Sequence, residues 1–515
     1  MHAFEVVLAL LLGATILSSL ARRAGVPSPT LLAIGGAILA FVPGAPRLEL
    51  PPELILALFV APILLDAAFD ASLRDLRANW RPVGSLVLIA VGLTTAAVAI
   101  TARQIFGDMP WAAAVALGAV VAPPDAVAAL AVLRQVQPPY RIRLILEGES
   151  LLNDASALLI YRLALGAVAA GGFSAVDVLP AFLAVVFGSA IAGWLIAWPL
   201  GQVTSRITSA PEAVVFQFVT TFGVWLLAER LGLSGVVAVV VLGLTLARGG
   251  PSAAVRVRVN SFAIWETATM VLNVLAFTLI GLAIGPILER IGTPEGLHLM
   301  VASVAVLAVV ILVRLAWTFT YEAIIRLGAR LFAGRSRASD MSVPSTAGSL
   351  VVGWSGMRGV VTLATALALP PDFPYRDFIQ LTAFVVVLGT LVIQGLTLRP
   401  LLQLVHLPKD DTVESEVRLA RQAALEAVMA EVEGEATPTA RRLAEEYRGA
   451  LGRALDGKDP RDTPDNALRR RMVAAARHAI EDLRSAGSIG DDAYRTVEEE
   501  LDLMDLSAQP TEAGD

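Results

Sequence analysis

The 515-residue sequence contains no cysteine, only two lysines and only four histidines. The absence of cysteine excludes disulfide bonds, thiolate metal sites and thiol catalysis. The histidines are scattered along the chain, which argues against a histidine-based metal site. Neither Lys409 nor Lys458 is followed by Ser or Thr, so the sequence lacks the phosphate-binding motif G-x-x-x-x-G-K-[ST]. Nothing here indicates an ATP-driven pump, and we expect no cofactor and no nucleic-acid partner.

Charge is also scarce, at 17% of residues against 56% hydrophobic residues, whereas about a quarter of residues are charged in typical globular domains. The scarcity is uneven along the chain. Residues 408–515 hold 25 acidic and 15 basic residues, a net charge of −10, and residues 1–407 carry +4. The sequence therefore predicts a membrane domain over residues 1–407 and a soluble, acidic tail over residues 408–515.

The membrane domain contains long apolar runs. About 20 apolar residues are needed for a helix to cross the hydrocarbon core, which favours an all-α membrane protein with about thirteen transmembrane spans. The first run is not preceded by a basic segment, so we interpret it as a retained helix and not a cleaved signal peptide. The predicted spans are 3–20, 28–44, 52–71, 82–104, 111–132, 144–169, 177–204, 211–229, 233–247, 261–288, 298–325, 345–369 and 378–404.

Arginine is distributed unequally between the two sets of connecting loops. The odd-numbered loops hold 16 arginines and the even-numbered loops hold 5. Basic residues favour the cytoplasmic side of a membrane, which predicts an outer N-terminus and a cytoplasmic tail in the inner (cell) membrane. In the tail, helical periodicity interrupted by proline and glycine predicts short amphipathic helices and a disordered end near 507–515. The tail is regulatory or simply a solvated appendage.

Span 5 contains Pro123-Pro124-Asp125 at its centre. Two consecutive prolines remove backbone donors and break a helix. Free backbone groups at membrane depth are tolerated where they are buried or line a cavity, and an aspartate at the break can accept amide hydrogen bonds from the second half-helix. The alternative is a plain proline kink with a structural cap.

Span 6 begins with Glu147-Gly148-Glu149-Ser150-Leu151-Leu152-Asn153-Asp154. Glu147, Ser150 and Asp154 fall at i, i+3 and i+7 and form one polar stripe on a helix. A carboxylate and a hydroxyl on one face supply the oxygen ligands that hard monovalent cations prefer. Acids near a helix end are common, but Asp154 lies deeper in the apolar run, where an ionisable residue indicates a functional site.

Span 12 contains Gly353-Trp354-Ser355-Gly356-Met357-Arg358-Gly359. Three glycines in seven residues permit an unwound segment, although glycines also serve helix packing alone. Arg358 requires a buried partner. Spans 5 and 12 are seven spans apart, so they cross the membrane in opposite directions and match in two inverted six-helix repeats, spans 1–6 and 8–13. Paired interrupted spans indicate the binding site of a secondary transporter.

The chain resembles the monovalent cation:proton antiporter-1 family, which includes NhaP-type antiporters and animal sodium/hydrogen exchangers. The resemblance runs through most of residues 1–404. It is carried by four stretches: PILLDAAFDASLRDL (62–76), GAVVAPPDAVAA (118–129), LEGESLLNDASALLIY (146–161) and GWSGMRGVVTLATAL (353–367). It implies a core domain, a dimerisation domain, assembly as a homodimer in membrane lipid, and transport rather than enzymatic activity.

The resemblance also implies the site. Asp154 binds Na⁺ or H⁺, Ser150 and Asp66 help to coordinate the cation, and the backbone carbonyl of Pro124 is a further ligand, at a position where family members commonly have Thr. The supporting positions are Asp125, Asn153, Glu147 and Arg358, with Glu147 and Arg358 as a buried ion pair. Asn at 153 resembles the electroneutral branch, which exchanges one cation for one proton.

Three other functions compete with Na⁺/H⁺ exchange. A K⁺/H⁺ antiporter of the same family differs in cavity geometry, which residue spacing does not reveal; Li⁺ is a further candidate cation. A cation channel needs a continuous pore, often with a carbonyl filter, and no TVGYG-like filter is present in the sequence. An intramembrane aspartyl protease using Asp125 and Asp154 would leave Ser150 and Arg358 without a role.

Overall fold

The structure, a computed structural model, describes residues 2–42, 52–136, 138–170, 175–248, 255–285, 294–331 and 345–405, and in the tail residues 407–510 except 409, 434, 436, 457 and 487. It divides into two units, Met1–Pro408 and Lys409–Asp515. The described residues of both units are helical, and the all-α prediction is confirmed. Several arginines that indicated orientation, including Arg47 and Arg290, lie outside the described residues.

In the first half of the first unit, helices begin and end near turn-forming residues; Pro27, for example, directly precedes the second helix. Two π-helical stretches, Leu56–Val60 and Ser85–Ala90, widen the third and fourth predicted spans. The helices of this half are α1 His2–Ala24, α2 Ser28–Leu39, α3 Pro52–Ile55, α4 Ala61–Asp70, α5 Leu73–Ala78, α6 Trp80–Gly84, α7 Val91–Ile105, α8 Trp111–Val121, α9 Ala126–Val136 and α10 Tyr140–Ala170.

The second half of this unit holds four helices of 28 residues or more. Pro180 and Pro199 lie inside the first of them. The helices are α11 Ala175–Thr204, α12 Ala210–Arg230, α13 Gly235–Ala247, α14 Val255–Leu282, α15 Pro294–Leu331, α16 Thr346–Trp354, α17 Val360–Leu367 and α18 Arg376–Leu404. Within the described residues, seven helices are long and apolar enough to cross a membrane, and shorter apolar helices accompany them. The count of thirteen spans stays a prediction.

Helix packing divides the first unit into two bundles. The first bundle contains α1, α2, α4 and α11–α14, and the second contains α7–α10 and α15–α18. One apolar core lies in each, around Leu65 and Val239 in the first and around Leu117 and Phe378 in the second. A further apolar cluster joins α2 and α14 to α9 and α18, where the bundles meet.

The tail forms four amphipathic helices, as the sequence predicts. Two begin at threonine caps, where the hydroxyl of Thr437 accepts from Ala440 N at 3.1 Å and that of Thr463 from Asn466 N at 3.2 Å. The last helix extends to Ala508, two residues into the end that was expected to be disordered; residues 511–515 lie outside the described residues. The helices are α19 Thr412–Glu433, α20 Pro438–Leu455, α21 Pro464–Ser485 and α22 Asp491–Ala508.

Candidate functional site

Both predicted helix breaks are present. In span 5, α8 ends at Val121 and α9 begins at Ala126, with Pro123 and Pro124 in the gap. In span 12, α16 ends at Trp354 and α17 begins at Val360. The two gaps meet, because the backbone N–H of Asp125 donates to the carbonyl of Met357 at 2.6 Å. The broken spans therefore form a crossing of four half-helices inside the second bundle.

Asp125 caps two half-helices at this crossing. Its Oδ1 accepts a hydrogen bond from Val127 N at 2.8 Å, in its own half-helix α9. Its carboxylate also accepts from the backbone N–H of Val360, the first residue of α17. Each bond satisfies an amide that a helix start leaves unpaired, and the negative charge suits both helix N-termini. The supporting role predicted for Asp125 has a physical basis in this double cap.

Gly359 makes the double cap possible. A Cβ atom added at this position would overlap the carboxylate of Asp125. Only a residue without a side chain allows the carboxylate to approach the start of α17 this closely. The glycine is required here for contact with Asp125 and not for its backbone angles, since its φ of −138° is open to any residue.

Replacement of Gly359 by alanine is expected to destabilise the protein by about 1–3 kcal/mol, the usual cost of forcing extra atoms into a packed interior. The added methyl must displace Asp125 from its cap. The measurement is the melting temperature of the purified protein in detergent. Gly166→Ala on α10 is the matched control, because a Cβ there meets no atom within 4 Å. Equal melting temperatures for the two variants would contradict the role given to Gly359.

Asn153 and Asp154 lie on α10 beside the crossing. The Nδ2 of Asn153, a fully buried residue, donates to the carbonyl of Pro124 at 2.6 Å and so holds the break of span 5 against α10. Asp154 is 9% exposed. Its carboxylate lies close enough to that of Asp125 for the two charges to interact. The structure thus brings together Asp125, Asn153, Asp154 and the carbonyl of Pro124.

Ser150 and Asp66 are less closely tied to this group. Ser150 lies on α10 one turn before Asp154 and is half-buried. Asp66 lies on α4, a helix of the first bundle that packs against α13 and also contacts α10. Both side chains are engaged in interactions in the structure. Their participation in cation binding stays a prediction.

The predicted Glu147–Arg358 ion pair is wrong. Glu147 is bound by Arg143, one turn earlier on the same helix, at 2.7 Å and with both side chains partly exposed. Arg358, 1% exposed, donates instead to backbone carbonyls: Nε to Val121 at 3.1 Å, Nη2 to Ala122 at 3.3 Å, and Nη1 to Gly356. The guanidinium satisfies the carbonyls that the break of span 5 leaves free, so it still supports the crossing.

The buried ion pair of the second bundle is formed by Glu149 and Arg314, neither of which was singled out as a site residue. Both guanidinium Nη atoms of Arg314 bind the carboxylate, with Nη2 to Oε2 at 2.8 Å, and Nη2 also donates to the carbonyl of Val352 at 3.1 Å. Glu149 and Glu147 are two residues apart, about 200° around a helix, so only one of them can face the bundle. Arg314 in the middle of an apolar span was the signal that could have identified the pair.

Known proteins are similar to this chain in sequence and in fold. The family profile described as "Sodium/hydrogen exchanger, transmembrane" matches residues 6–404. The uncharacterized Na(+)/H(+) exchanger Rv2287 of Mycobacterium tuberculosis (strain ATCC 25618 / H37Rv) is 31% identical over 97% of this chain and 95% of its own length. The low-affinity Na(+)/H(+) antiporter NhaS1 of Synechocystis sp. is 31% identical over 79% of this chain and 75% of its own length.

The fold is similar to that of the sodium proton antiporter MjNhaP1 from Methanocaldococcus jannaschii. The TM-score is 0.59, with 18% identity, over 79% of this chain and 99% of that one. The profile match covers more than three quarters of this chain and spans both broken helices and α10. The chain belongs to the sodium/hydrogen exchanger family.

Proposed function

We propose that this protein is a secondary-active antiporter that exchanges Na⁺ for H⁺, one for one, across the cell membrane. The observation that carries the proposal is the position of Asp154, a buried carboxylate next to the crossing of two interrupted helices. Ion sites of secondary transporters are built at such interruptions. Family membership supports cation/proton exchange as the general activity.

Competition for one carboxylate couples the two ions. Asp154 can hold a proton or a cation, but not both. With either bound, the site is locally neutral. Without either, an unpaired negative charge remains in the membrane, and moving it through the protein is costly. Only a site that holds a proton or a cation can move from facing one side of the membrane to facing the other. Each cation carried one way is therefore matched by a proton carried the other way.

The cation ligands in this proposal are oxygens, which suit a hard monovalent ion. They are the Asp154 carboxylate, the Ser150 hydroxyl, the Asp66 carboxylate and the Pro124 carbonyl. The last of these already accepts a hydrogen bond from Asn153, but a carbonyl has a second lone pair. Asn153 itself cannot bind a proton at neutral pH, which supports electroneutral one-for-one exchange.

Transport would alternate by movement of the second bundle, which contains both broken spans, against the first. The two bundles pack more densely within themselves than against each other, as two rocking bodies require. The cytoplasmic location of the tail rests on the arginine distribution. Assembly as a homodimer in membrane lipid rests on the family resemblance alone.

Proton flux in proteoliposomes tests the proposal. The purified protein is reconstituted with an internal pH dye, and Na⁺, Li⁺ and K⁺ are added in turn, with and without an imposed membrane potential. We expect saturable proton movement driven by Na⁺ and unchanged by the potential. A response to K⁺ alone would identify a K⁺/H⁺ antiporter, a dependence on potential would contradict one-for-one exchange, and linear conductance would indicate a channel.

A further inference from the structure

The face of α10 that carries Asp154 also carries a charged residue beyond the site, Arg162. Asp154, Leu158 and Arg162 fall at i, i+4 and i+8, so they follow one another along this helix over about 12 Å. Leu151 and Leu158 of α10 pack in the apolar cluster formed with α4, α12 and α13. Arg162 therefore lies at the boundary between the two bundles, two turns from Asp154 and away from the end of α10 at Tyr140.

Arg162 joins the second bundle to the first through two partners. Its guanidinium forms an ion pair with Glu229, the penultimate residue of α12, and its Nη1 donates to the carbonyl of Leu233 at 3.0 Å. The other carboxylate oxygen of Glu229 accepts from Gly235 N at 3.1 Å, an amide that the start of α13 leaves free. The α12–α13 turn thus presents a fixed acceptor to a side chain of α10.

The arginine distribution indicates on which side of the membrane the Arg162–Glu229 pair lies. The odd-numbered loops, which together hold more arginines than the even-numbered ones, include those before α10 and α12, so the Tyr140 end of α10 is cytoplasmic in the proposed orientation. Glu229 is the penultimate residue of α12, and α10 runs on beyond Arg162 only to Ala170. The pair therefore lies toward the outer surface, between that surface and Asp154.

We propose that Arg162 and Glu229 form the outer gate of the pathway to Asp154, a proposal that rests on the alternating-access function given above. With the pair formed, α10 is held against the α12–α13 turn and the outer route is closed. Separation of the pair lets the second bundle move away and opens the site to the outside. Neither residue is among the proposed ion ligands, so both act by positioning α10.

The exposure of the pair suits a gate. The side chains of Arg162 and Glu229 are 39% and 32% exposed, so separation of the pair leaves neither charge enclosed in the protein interior, where an unpaired charge is most costly. The Glu149–Arg314 pair contrasts with it, because both members are buried and both belong to the second bundle. A buried pair suits a contact that persists through transport, and a half-exposed pair suits one that breaks in every cycle.

Thiol labelling tests the gate directly, because the chain has no cysteine of its own. Leu158→Cys places one thiol between Asp154 and the pair, and Ala155→Cys serves if that variant does not fold. A membrane-impermeant maleimide is added to either side of oriented vesicles. Glu229→Gln in this background is expected to raise labelling from the outer side about five- to tenfold, the range of a modest coupling between two states.

Two variants separate gating from folding. Glu229→Gln keeps a side-chain oxygen that can accept from Gly235 N, so the start of α13 is preserved. Arg162→Lys keeps a cation that can pair with Glu229 and donate to the carbonyl of Leu233, so it is expected to keep labelling close to the parent rate. Arg230→Gln, which removes an exposed charge next to Glu229 on the same helix, is expected to leave it unchanged. Unchanged labelling in Glu229→Gln, or an equal rise in Arg230→Gln, would overturn the gate.

Labelling needs no transported ion, so the gate and the proposed exchange can fail separately. If Glu229→Gln raises outer labelling but no monovalent cation drives proton flux, the gate stands and the exchange does not. If exchange is normal and labelling does not respond, the reverse holds. With both correct, Glu229→Gln also lowers the KM for outer Na⁺ by a similar factor, because more of the protein is open to the outside.

Discussion

Asp154→Asn is expected to reduce sodium-driven proton movement in everted vesicles to the rate of vesicles that lack the protein. The amide has nearly the same size and shape as the carboxylate, but it neither binds a proton near neutral pH nor supplies a negative charge to a cation. In the proposed mechanism no other group replaces it, since the adjacent residue is Asn153. The assay uses a dye that accumulates in acidic vesicles, where its fluorescence is quenched. The rate at which added Na⁺ reverses this quench measures proton movement.

The same substitution is not expected to destabilise the fold. Asp154 lies within interaction range of Asp125, and two like charges in a buried site repel each other. Neutralising one of them removes that repulsion, so the melting temperature of Asp154→Asn should equal or exceed that of the parent. Loss of function with full stability is the signature of a transport residue rather than a structural one.

Asp372→Asn is the matched control for this pair of measurements. Asp372 is an exposed residue in the turn between α17 and α18, so its neutralisation should change neither flux nor stability. Normal exchange by Asp154→Asn would rule out the competition mechanism. A collapse of stability in that variant would instead assign Asp154 a structural role.

The features of the site that sequence could predict are those fixed by local backbone chemistry. Pro123 and Pro124 cannot continue a helix, and the glycines around Arg358 permit an unwound segment, so both breaks could be placed within a few residues. Long apolar runs likewise located the membrane helices, because the length of an apolar run is itself a local property of the sequence. In each case a short stretch of sequence determines the outcome without reference to its neighbours.

The features that sequence could not predict depend on how helices are rotated against one another. Glu147 and Glu149 are equally close to the functional stretch in sequence, and only packing decides that Glu149 faces Arg314. The cap that Asp125 provides to Val360 joins residues more than 200 positions apart. Arg358 was expected to need a carboxylate, but carbonyls freed by the neighbouring break satisfy it.

Arg314→Met is expected to destabilise the protein by about 3–5 kcal/mol, because it leaves the carboxylate of Glu149 buried and unpaired. Glu149 and Arg314 are 1% and 2% exposed, so water cannot replace the missing partner. The variant also loses the bond from Arg314 to the carbonyl of Val352, near the end of α16. We expect little folded protein in the membrane and a large fall in melting temperature.

The double variant Glu149→Leu with Arg314→Met separates charge burial from packing. Replacement of a whole buried ion pair by apolar residues is often neutral or stabilising, whereas removal of one member is not. The double variant should therefore be more stable than Arg314→Met alone, and the departure from additivity measures the coupling between the two residues. Its exchange activity tests whether the pair serves only stability.

Arg143→Gln provides the comparison with an exposed pair. Arg143 binds Glu147 across one helical turn with side chains 47% and 34% exposed, and such pairs contribute about 0–1 kcal/mol. Its melting temperature should stay close to that of the parent. The cost of leaving a charge unpaired rises with its burial. If Arg143→Gln lowered the melting temperature as much as Arg314→Met, Glu147 rather than Glu149 would be the buried glutamate, which would contradict the assignment made here.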